Sequence, residues 1–346
     1  KQYPNLTGEV FLESRLGAVN SEENANTYSN SLVFNIEPNL TVNVNDNWSV
    51  KTKWQIAPFR ERNTLNYEIR NVFPSTNQPD DFRDYGMIVE ELKGDYKTDD
   101  MNFYFGKYNP TFGEAWKKEK RIGIFATDFA EDYELTEKIG AGIGAVLDDG
   151  GMLALNLFLN DTTGLSNSAI NRRGRNKSSN NIAGNNNNLS SYSLTFSGND
   201  FFGVENLRYN FGYRDLDVEN QFGFDNEKGY LIGFEYKVPL NYKADLIPFI
   251  EIAKFDNFYG YQGQDILYTT ASLLVEYSNW RVGISGSLRD IDRSGNGSDF
   301  NDNQTQYFVG YKFKSGIMLD VAHVNVKESD NKANILGVSL AYLYEF

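Results

Sequence analysis

The sequence predicts an all-β chain: a transmembrane, antiparallel, up-and-down β-barrel of about 16 strands. Three observations predict it. Segments of about ten residues alternate large apolar side chains with polar or charged ones, the period of a strand between two media. The connections between those segments alternate short and long along the whole chain. The final segment, Leu336 to Phe346, is itself an alternating strand that stops on an aromatic residue.

Taken in order, alternation places strands at 7–18, 28–44, 48–58, 84–96, 101–108, 133–147, 151–160, 189–198, 204–216, 228–240, 245–256, 265–278, 280–291, 304–314, 317–328 and 333–346. Most are near the ~9–11 residues that cross a bilayer at a tilt. An even count returns both termini to one side of the membrane. Counted from the N-terminus, the even-numbered connections are tight: Asn45-Asp-Asn47, Lys97 to Asp100, Asp148 to Gly151, Asn199 to Gly203, Asn241 to Ala244, Ser278-Asn279 and Ser315-Gly316. Gly, Asn and Asp suit such turns because they tolerate positive φ or bond their own backbone. The odd-numbered connections are longer and polar, at 19–27, 59–83, 109–132, 161–188, 217–227, 257–264, 292–303 and 329–332. One rim is therefore trimmed and the other elaborated. Greek-key connections of a soluble β-sandwich have no reason to keep that rhythm.

The two faces of individual strands agree. Trp48, Val50, Thr52, Trp54 and Ile56 oppose Lys51, Lys53 and Gln55. Leu207, Tyr209, Phe211 and Tyr213 oppose Arg208, Asn210, Gly212 and Arg214. Tyr230, Ile232, Phe234, Tyr236 and Val238 oppose Gly233, Glu235 and Lys237. Tyr307, Val309, Tyr311 and Phe313 oppose Gln306, Gly310, Lys312 and Lys314. A charge facing lipid at mid-depth costs about 2–4 kcal/mol, so the charged face is the lumen. Phe82 and Tyr85 at one end, and Trp48, Tyr96, Trp280 and Phe346 at the other, suit two interfacial girdles. Pro38 and Pro248 sit where a closed ladder expects an N–H, so each should mark a bulge or a lost bond. Parity is ambiguous around Ile88 to Glu91 and around Val321 to Val324.

Composition is compatible and excludes other classes. A length of 346 residues permits two ordinary domains or one large β architecture, and the alternation selects the second. No run of the ~18 apolar residues that mark a helical span occurs. The chain has no Cys, hence no disulfides or thiolate sites. A formal net charge of -14 argues against a nucleic-acid partner and suggests a modest cation preference if the excess reaches the lumen. Lys1-Gln-Tyr-Pro4 carries no signal-peptide pattern, so an exported protein would be represented by its mature chain. No cofactor is expected. Divalent cations could bind loosely at Glu22-Glu23 or Asp80-Asp81, bridging them to lipopolysaccharide or to each other. The Asn185 to Asn188 tract reads as loop low complexity.

A barrel of about 16 strands is too wide for side chains to fill, so its lumen should hold water. The third long connection, 109–132, is the best candidate to narrow it. Its charges split: Glu114, then the basic Lys117, Lys118, Lys120 and Arg121, then the acidic Asp128, Glu131, Asp132 and Glu134. Luminal parity offers Arg15, Lys51, Lys53, Arg281 and Arg289 as wall cations.

In strand number, loop order and aromatic terminus the whole chain resembles the general diffusion porins of Gram-negative outer membranes. Pro110-Thr-Phe-Gly113 echoes the Pro-Glu-Phe-Gly of enterobacterial third loops, lies earlier in the loop and lacks the Glu. The resemblance implies a third loop folded into the lumen, whose carboxylates face a basic wall and set up a transverse field. It implies a homotrimer packed through the first and last strands, with 59–83 latching onto a neighbour. Leu12, Leu16, Leu32, Phe34 and Ile36 suit either that contact or acyl chains. It also implies that the last strand, with Tyr342, Tyr344 and Phe346, is the signal read by the barrel-assembly machinery. The setting it implies is the bacterial outer membrane, with lipopolysaccharide around the barrel and both termini periplasmic. Passive diffusion of small hydrophilic solutes and ions is the function that follows. A substrate-specific channel is the first rival, with Arg208, Arg214, Arg281 and Arg289 as an anion ladder, Tyr108 and Tyr268 as contact surfaces, and Glu235 and Glu276 diluting it. A barrel enzyme would need a general base, and the lone His323 shares the lipid parity of Leu319 and Val321. An adhesive barrel would use loops 59–83 and 161–188.

Overall fold

The computed structural model describes residues 2–21, 28–58, 85–116, 124, 129–147, 150–170, 174–177, 183–185, 188–218, 223–293, 299–328 and 331–346. Its first nine strands are β1 (Asn5–Ser21), β2 (Tyr28–Asn43), β3 (Trp48–Pro58), β4 (Tyr85–Lys97), β5 (Met101–Tyr108), β6 (Lys138–Val146), β7 (Met152–Asn160), β8 (Ser191–Gly198) and β9 (Leu207–Leu216). The remainder are β10 (Glu227–Tyr236), β11 (Val238–Asn241), β12 (Ala244–Asp256), β13 (Gln264–Tyr277), β14 (Trp280–Arg293), β15 (Phe300–Lys312), β16 (Met318–Glu328) and β17 (Asn331–Glu345).

Sixteen of these form a closed antiparallel ring in chain order, sealed by β1 against β17, and the short β11 is an extra strand paired with β12 alone. The predicted barrel of about 16 strands is the observed one. β11 follows β10 in the same register along β12: Glu235 pairs with Phe249 and Val238 with Leu246. Between them Tyr236 and Lys237 face Pro248 and Ile247 without ladder pairs. Pro248 has no N–H to give, which is the lost bond expected there. Pro38 acts alike: β2 pairs with β3 at Ile36–Ile56 and Asn39–Lys53, and the ladder skips the two positions between.

Side chains alternate as lipid on one side and water on the other demand. Leu153, Leu155 and Leu157 are exposed outside β7, while Ala154, Asn156 and Phe158 are buried inside it. The ambiguous stretch Ile88 to Glu91 contains a bulge. Lys53 pairs with Glu91 and Trp54 with Val89, so Glu90 is the extra residue, and parity flips across it. The sixth strand starts at Lys138 rather than at 133, because Ala130–Tyr133 forms a single 3-10 turn that stays with the preceding loop.

One rim carries short turns and both chain ends. Asn45 Oδ1 accepts the N–H groups of Asn47 and Trp48 at 2.9 and 2.8 Å, closing the β2–β3 turn. Tyr3 donates to Asp46 Oδ1 at 2.6 Å, which ties the N-terminus to that turn and raises the Tyr3 hydroxyl pKa above its usual value. Gly8 and Phe346 exchange reciprocal backbone hydrogen bonds of 3.0 Å. Aromatic pairs ring this rim, with centroids 4.8 Å apart for Trp48–Tyr96 and 4.7 Å for Trp280–Tyr311. Phe82, of the opposite girdle, lies outside the described residues, as do Glu22, Glu23, Asp80, Asp81 and the 59–83 loop.

Candidate functional site: a loop-lined lumen

The connection from β5 to β6 folds into the barrel and is fixed at three levels. Its neck closes where Asn109 Oδ1 accepts the Glu137 N–H at 2.8 Å. Pro110-Thr-Phe-Gly113 then turns inward. Gly113 has φ +75°, and a Cβ there would lie 2.9 Å from Leu231 Cδ1 and 3.2 Å from Glu251 Oε1, so only glycine permits the approach. Glu251, projecting from β12, receives the loop root. Its carboxylate accepts the N–H groups of Glu114 at 2.7 Å and Ala115 at 3.1 Å, and the Tyr133 hydroxyl at 2.8 Å. Beside it Arg214 of β9 lies against the rings of Phe112 and Phe255, at 4.7 and 4.4 Å. Its Nε donates to Glu227 at 2.8 Å and its Nη1 to the Tyr133 carbonyl at 2.6 Å.

The returning limb carries the second anchor. Arg289 of β14 is 2% exposed. Its guanidinium reaches Asp132 at 2.8 Å, Asp302 of β15 at 2.7 Å and Glu328 of β16 at 3.1 Å. Phe129 lies under it at 4.4 Å, and the Tyr268 hydroxyl donates to Asp132 at 3.1 Å. A buried ion is tolerable only when paired and hydrogen-bonded like this. At the third level, Ile124 gives its N–H to Gln306 at 3.1 Å and takes Arg15 Nη1 on its carbonyl at 3.3 Å. The Ile124 side chain packs with Ile247, Leu274, Phe308 and Ala322.

These contacts divide the lumen. Phe112, Ala115, Phe129, Ala130 and Tyr133 of the loop form one buried cluster with luminal residues of the far wall, among them Phe255, Ile266, Tyr268, Val324, Val326 and Ile335. Across from it, the wall of β1 to β4 is polar and only half-buried, with Glu13, Asn35, Glu37, Lys53, Glu91 and Lys93 facing inward. The parity question at Val321 to Val324 is answered here. Val321 and His323 are exposed outside, whereas Ala322, Val324 and Val326 turn into the barrel beneath the loop.

The wall cations nominated from parity have identifiable partners. Lys51 lies 3.6 Å from Asp95, and Lys53 lies 2.6 Å from Glu90 and 3.9 Å from Glu37. Arg281 lies 2.6 Å from Asp320. All these carboxylates belong to strands, not to the loop. Of the nominated wall cations, Arg289 meets a loop carboxylate, Asp132, and Arg15 holds the loop backbone. Glu114 takes part through its N–H, and Glu131 through its carbonyl, which accepts the Glu134 N–H. Lys117, Lys118, Lys120, Arg121 and Asp128 lie outside the described residues. Arg214 and Arg289 are buried under the loop and Arg208 pairs with Glu235 at 3.6 Å, so these residues form no continuous exposed anion ladder; Tyr108 and Tyr268 are buried as well. Glu251, Arg214 and Glu227 were not singled out as loop anchors, although each sits at luminal parity within a strand.

A further buried cation, Lys107 of β5, steadies the opposite rim, reaching Asp161 at 2.8 Å and the Leu165 carbonyl at 2.9 Å.

No family model and no curated protein sequence matches the chain. Solved structures match it in fold. OccAB3 of Acinetobacter baumannii is 12% identical, covering 99% of this chain and 100% of that one, with a TM-score of 0.59. OccK9 (OpdG) of Pseudomonas aeruginosa is 9% identical, with 99% of each chain covered and a TM-score of 0.57. OmpT, an outer membrane protein of Vibrio cholerae, is 13% identical over 98% of both chains, with a TM-score of 0.53. Identities this low speak to architecture and leave chemistry to the residues. These neighbours are porin-type channels of Gram-negative outer membranes, and this chain shares their β-barrel fold, here a closed ring of 16 strands.

Proposed function

We propose that the protein is an outer-membrane channel that passes small hydrophilic solutes and ions through a lumen narrowed by the β5–β6 loop. The observation that carries this reading is the divided lumen. An apolar wall holds the loop, and a charged, half-exposed wall from β1 to β4 is left along which water and solutes can pass. A low-dielectric surround strengthens the field of that wall on dipolar solutes. Both termini lie on the short-turn rim, which we assign to the periplasm. The exposed Leu12, Leu16 and Phe34 suit a homotrimer contact near the β1–β17 seam. His323 lies on the outer face, which supports a role without catalysis.

The test is a planar-bilayer recording of the refolded protein. Ohmic steps that scale with salt are expected, with closures in threes for a trimer; absence of current would overturn the channel. A substrate-selective channel is the second reading, favoured by the close Lys53–Glu90 pair on the β1 to β4 wall and the Arg281–Asp320 pair on β14 and β16. It predicts conductance that saturates with one solute class. Deleting Phe346 removes the reciprocal bonds to Gly8 and the terminal aromatic ring. The expected result is loss of nearly all heat-modifiable barrel from outer membranes, read on gels of heated and unheated samples; normal yield would remove the assembly role.

A further inference from the structure

A cavity of about 360 Å³ opens on the luminal side of the short-turn rim, between the β2–β3 and β4–β5 turns and the β6–β7 hairpin. Its lining includes Lys51, Asp95, Lys97, Asp99, Asn102 and Gly144. Its size falls within the ~300–1,000 Å³ usual for small-ligand pockets. Asp95 is 3% exposed, and among the described residues its Oδ2 has no hydrogen-bond partner. The other oxygen lies 3.6 Å from Lys51 Nζ, beyond hydrogen-bond length, and the Lys51 side chain is 40% exposed. Asn102 Oδ1 also has no partner among the described residues. Asp95 pairs with Tyr104 and Asn102 with Lys97 across β4 and β5, so Asp95 and Asn102 are diagonal neighbours on the luminal face.

A buried carboxylate oxygen with no donor is costly, and it is relieved by a group bringing several N–H bonds and positive charge. We propose that this cavity is a subsite for the ammonium end of a small solute in transit, with zwitterionic amino acids the class it fits best. The ammonium group sits in the cavity beside the Asp95 carboxylate and the Asn102 side-chain amide. The solute carboxylate lies toward Lys51, whose loose contact with Asp95 leaves it donors to share. A metal ion suits the cavity less well. Among the described residues no three His, Cys, Asp or Glu side chains converge as a ligand set. The nearby Asp46 is engaged by the Tyr3 hydroxyl. Gly144 keeps the cavity open: a Cβ there would meet only Met152 Sδ, at 3.9 Å. A Cβ therefore fits the fold, and a side chain extended from it would occupy the cavity that Gly144 lines.

The inference rests on the channel reading, and one set of recordings separates the two. Alanine, propylammonium and propionate are added in turn to single channels carrying KCl current. Alanine and propylammonium should interrupt the current in a concentration-dependent way, and propionate should not. Asp95→Asn should raise the half-blocking concentration about tenfold, the loss expected for one charge-assisted hydrogen bond. Asn102→Leu, which keeps the net charge, should raise it severalfold, and Gly144→Leu should abolish block by volume alone. Equal block by propionate, or block unchanged in the three variants, overturns the subsite while the channel stands. Absence of current overturns both.

Discussion

Replacing Arg289 with methionine is expected to destabilise the barrel by roughly 3–5 kcal/mol, the range for removing one partner of a buried charge network. The substitution leaves Asp302, Glu328 and Asp132 clustered in the interior without the guanidinium they share, and withdraws the cation from the face of Phe129. The returning limb of the loop loses its tie to the wall. Urea titration followed by heat-modifiable mobility should show the lower midpoint, and bilayer recordings should show larger and noisier currents as the loop leaves the lumen. Arg289→Lys should recover only part of the loss, because an ammonium group cannot span three carboxylates as a planar fork does. A variant with wild-type stability and conductance would mean that the loop is held by its apolar contacts alone.

Glu251→Ala should release the other limb. Two buried N–H groups, of Glu114 and Ala115, and the Tyr133 hydroxyl would lose their acceptor together. Each unsatisfied buried group costs about 1–3 kcal/mol, so a loss on the order of 3 kcal/mol is expected after local water entry. Glu251→Gln keeps one acceptor oxygen and most of the shape, and should sit between wild type and alanine. The measurement is protease cleavage within 114–135 on intact vesicles, with single-channel conductance beside it. Cleavage and current should rise in step. If only stability changes, Glu251 supports the wall rather than the loop.

Much of the barrel was legible because lipid imposes a severe rule on a strand. Leu153, Leu155 and Leu157 must face outward, and the charges between apolar residues on β3 or β15 must face water. The rule weakens wherever the lumen is dry. Ala322, Val324 and Val326 blurred the alternation of β16 because a packed loop, rather than water, covers them. The bulge at Glu90 shows in the sequence as ambiguous parity around Ile88 to Glu91, but which residue is the extra one is a matter of strand alignment. Arg289 and Asp132 were both recognisable, one from parity and one from the loop's charge split, and they meet. Glu251 carries no mark in the sequence and Arg214 reads there as a water-facing ladder residue, since a luminal charge is usually read as solvated; their burial follows from where the loop lands. The partners of Lys51, Lys53 and Arg281 depend on which residues of neighbouring strands come level, a property of register rather than of any one segment.

The reciprocal bonds between Gly8 and Phe346 also bear on the width of the bore. Stagger around a closed cylinder is fixed only when its first and last staves meet, and stagger together with stave number sets the radius. A slip of two residues at that seam would leave every side chain on its proper side, so neither grease nor charge would resist it. What resists is the paired seam itself: β1 and β17 pair from Glu9–Glu345 to Ser21–Ala333, and Phe346 bonds Gly8, where a Cβ would come within 2.7 Å of the Asn39 carbonyl oxygen. The calibre of the passage thereby depends on how this one seam is aligned.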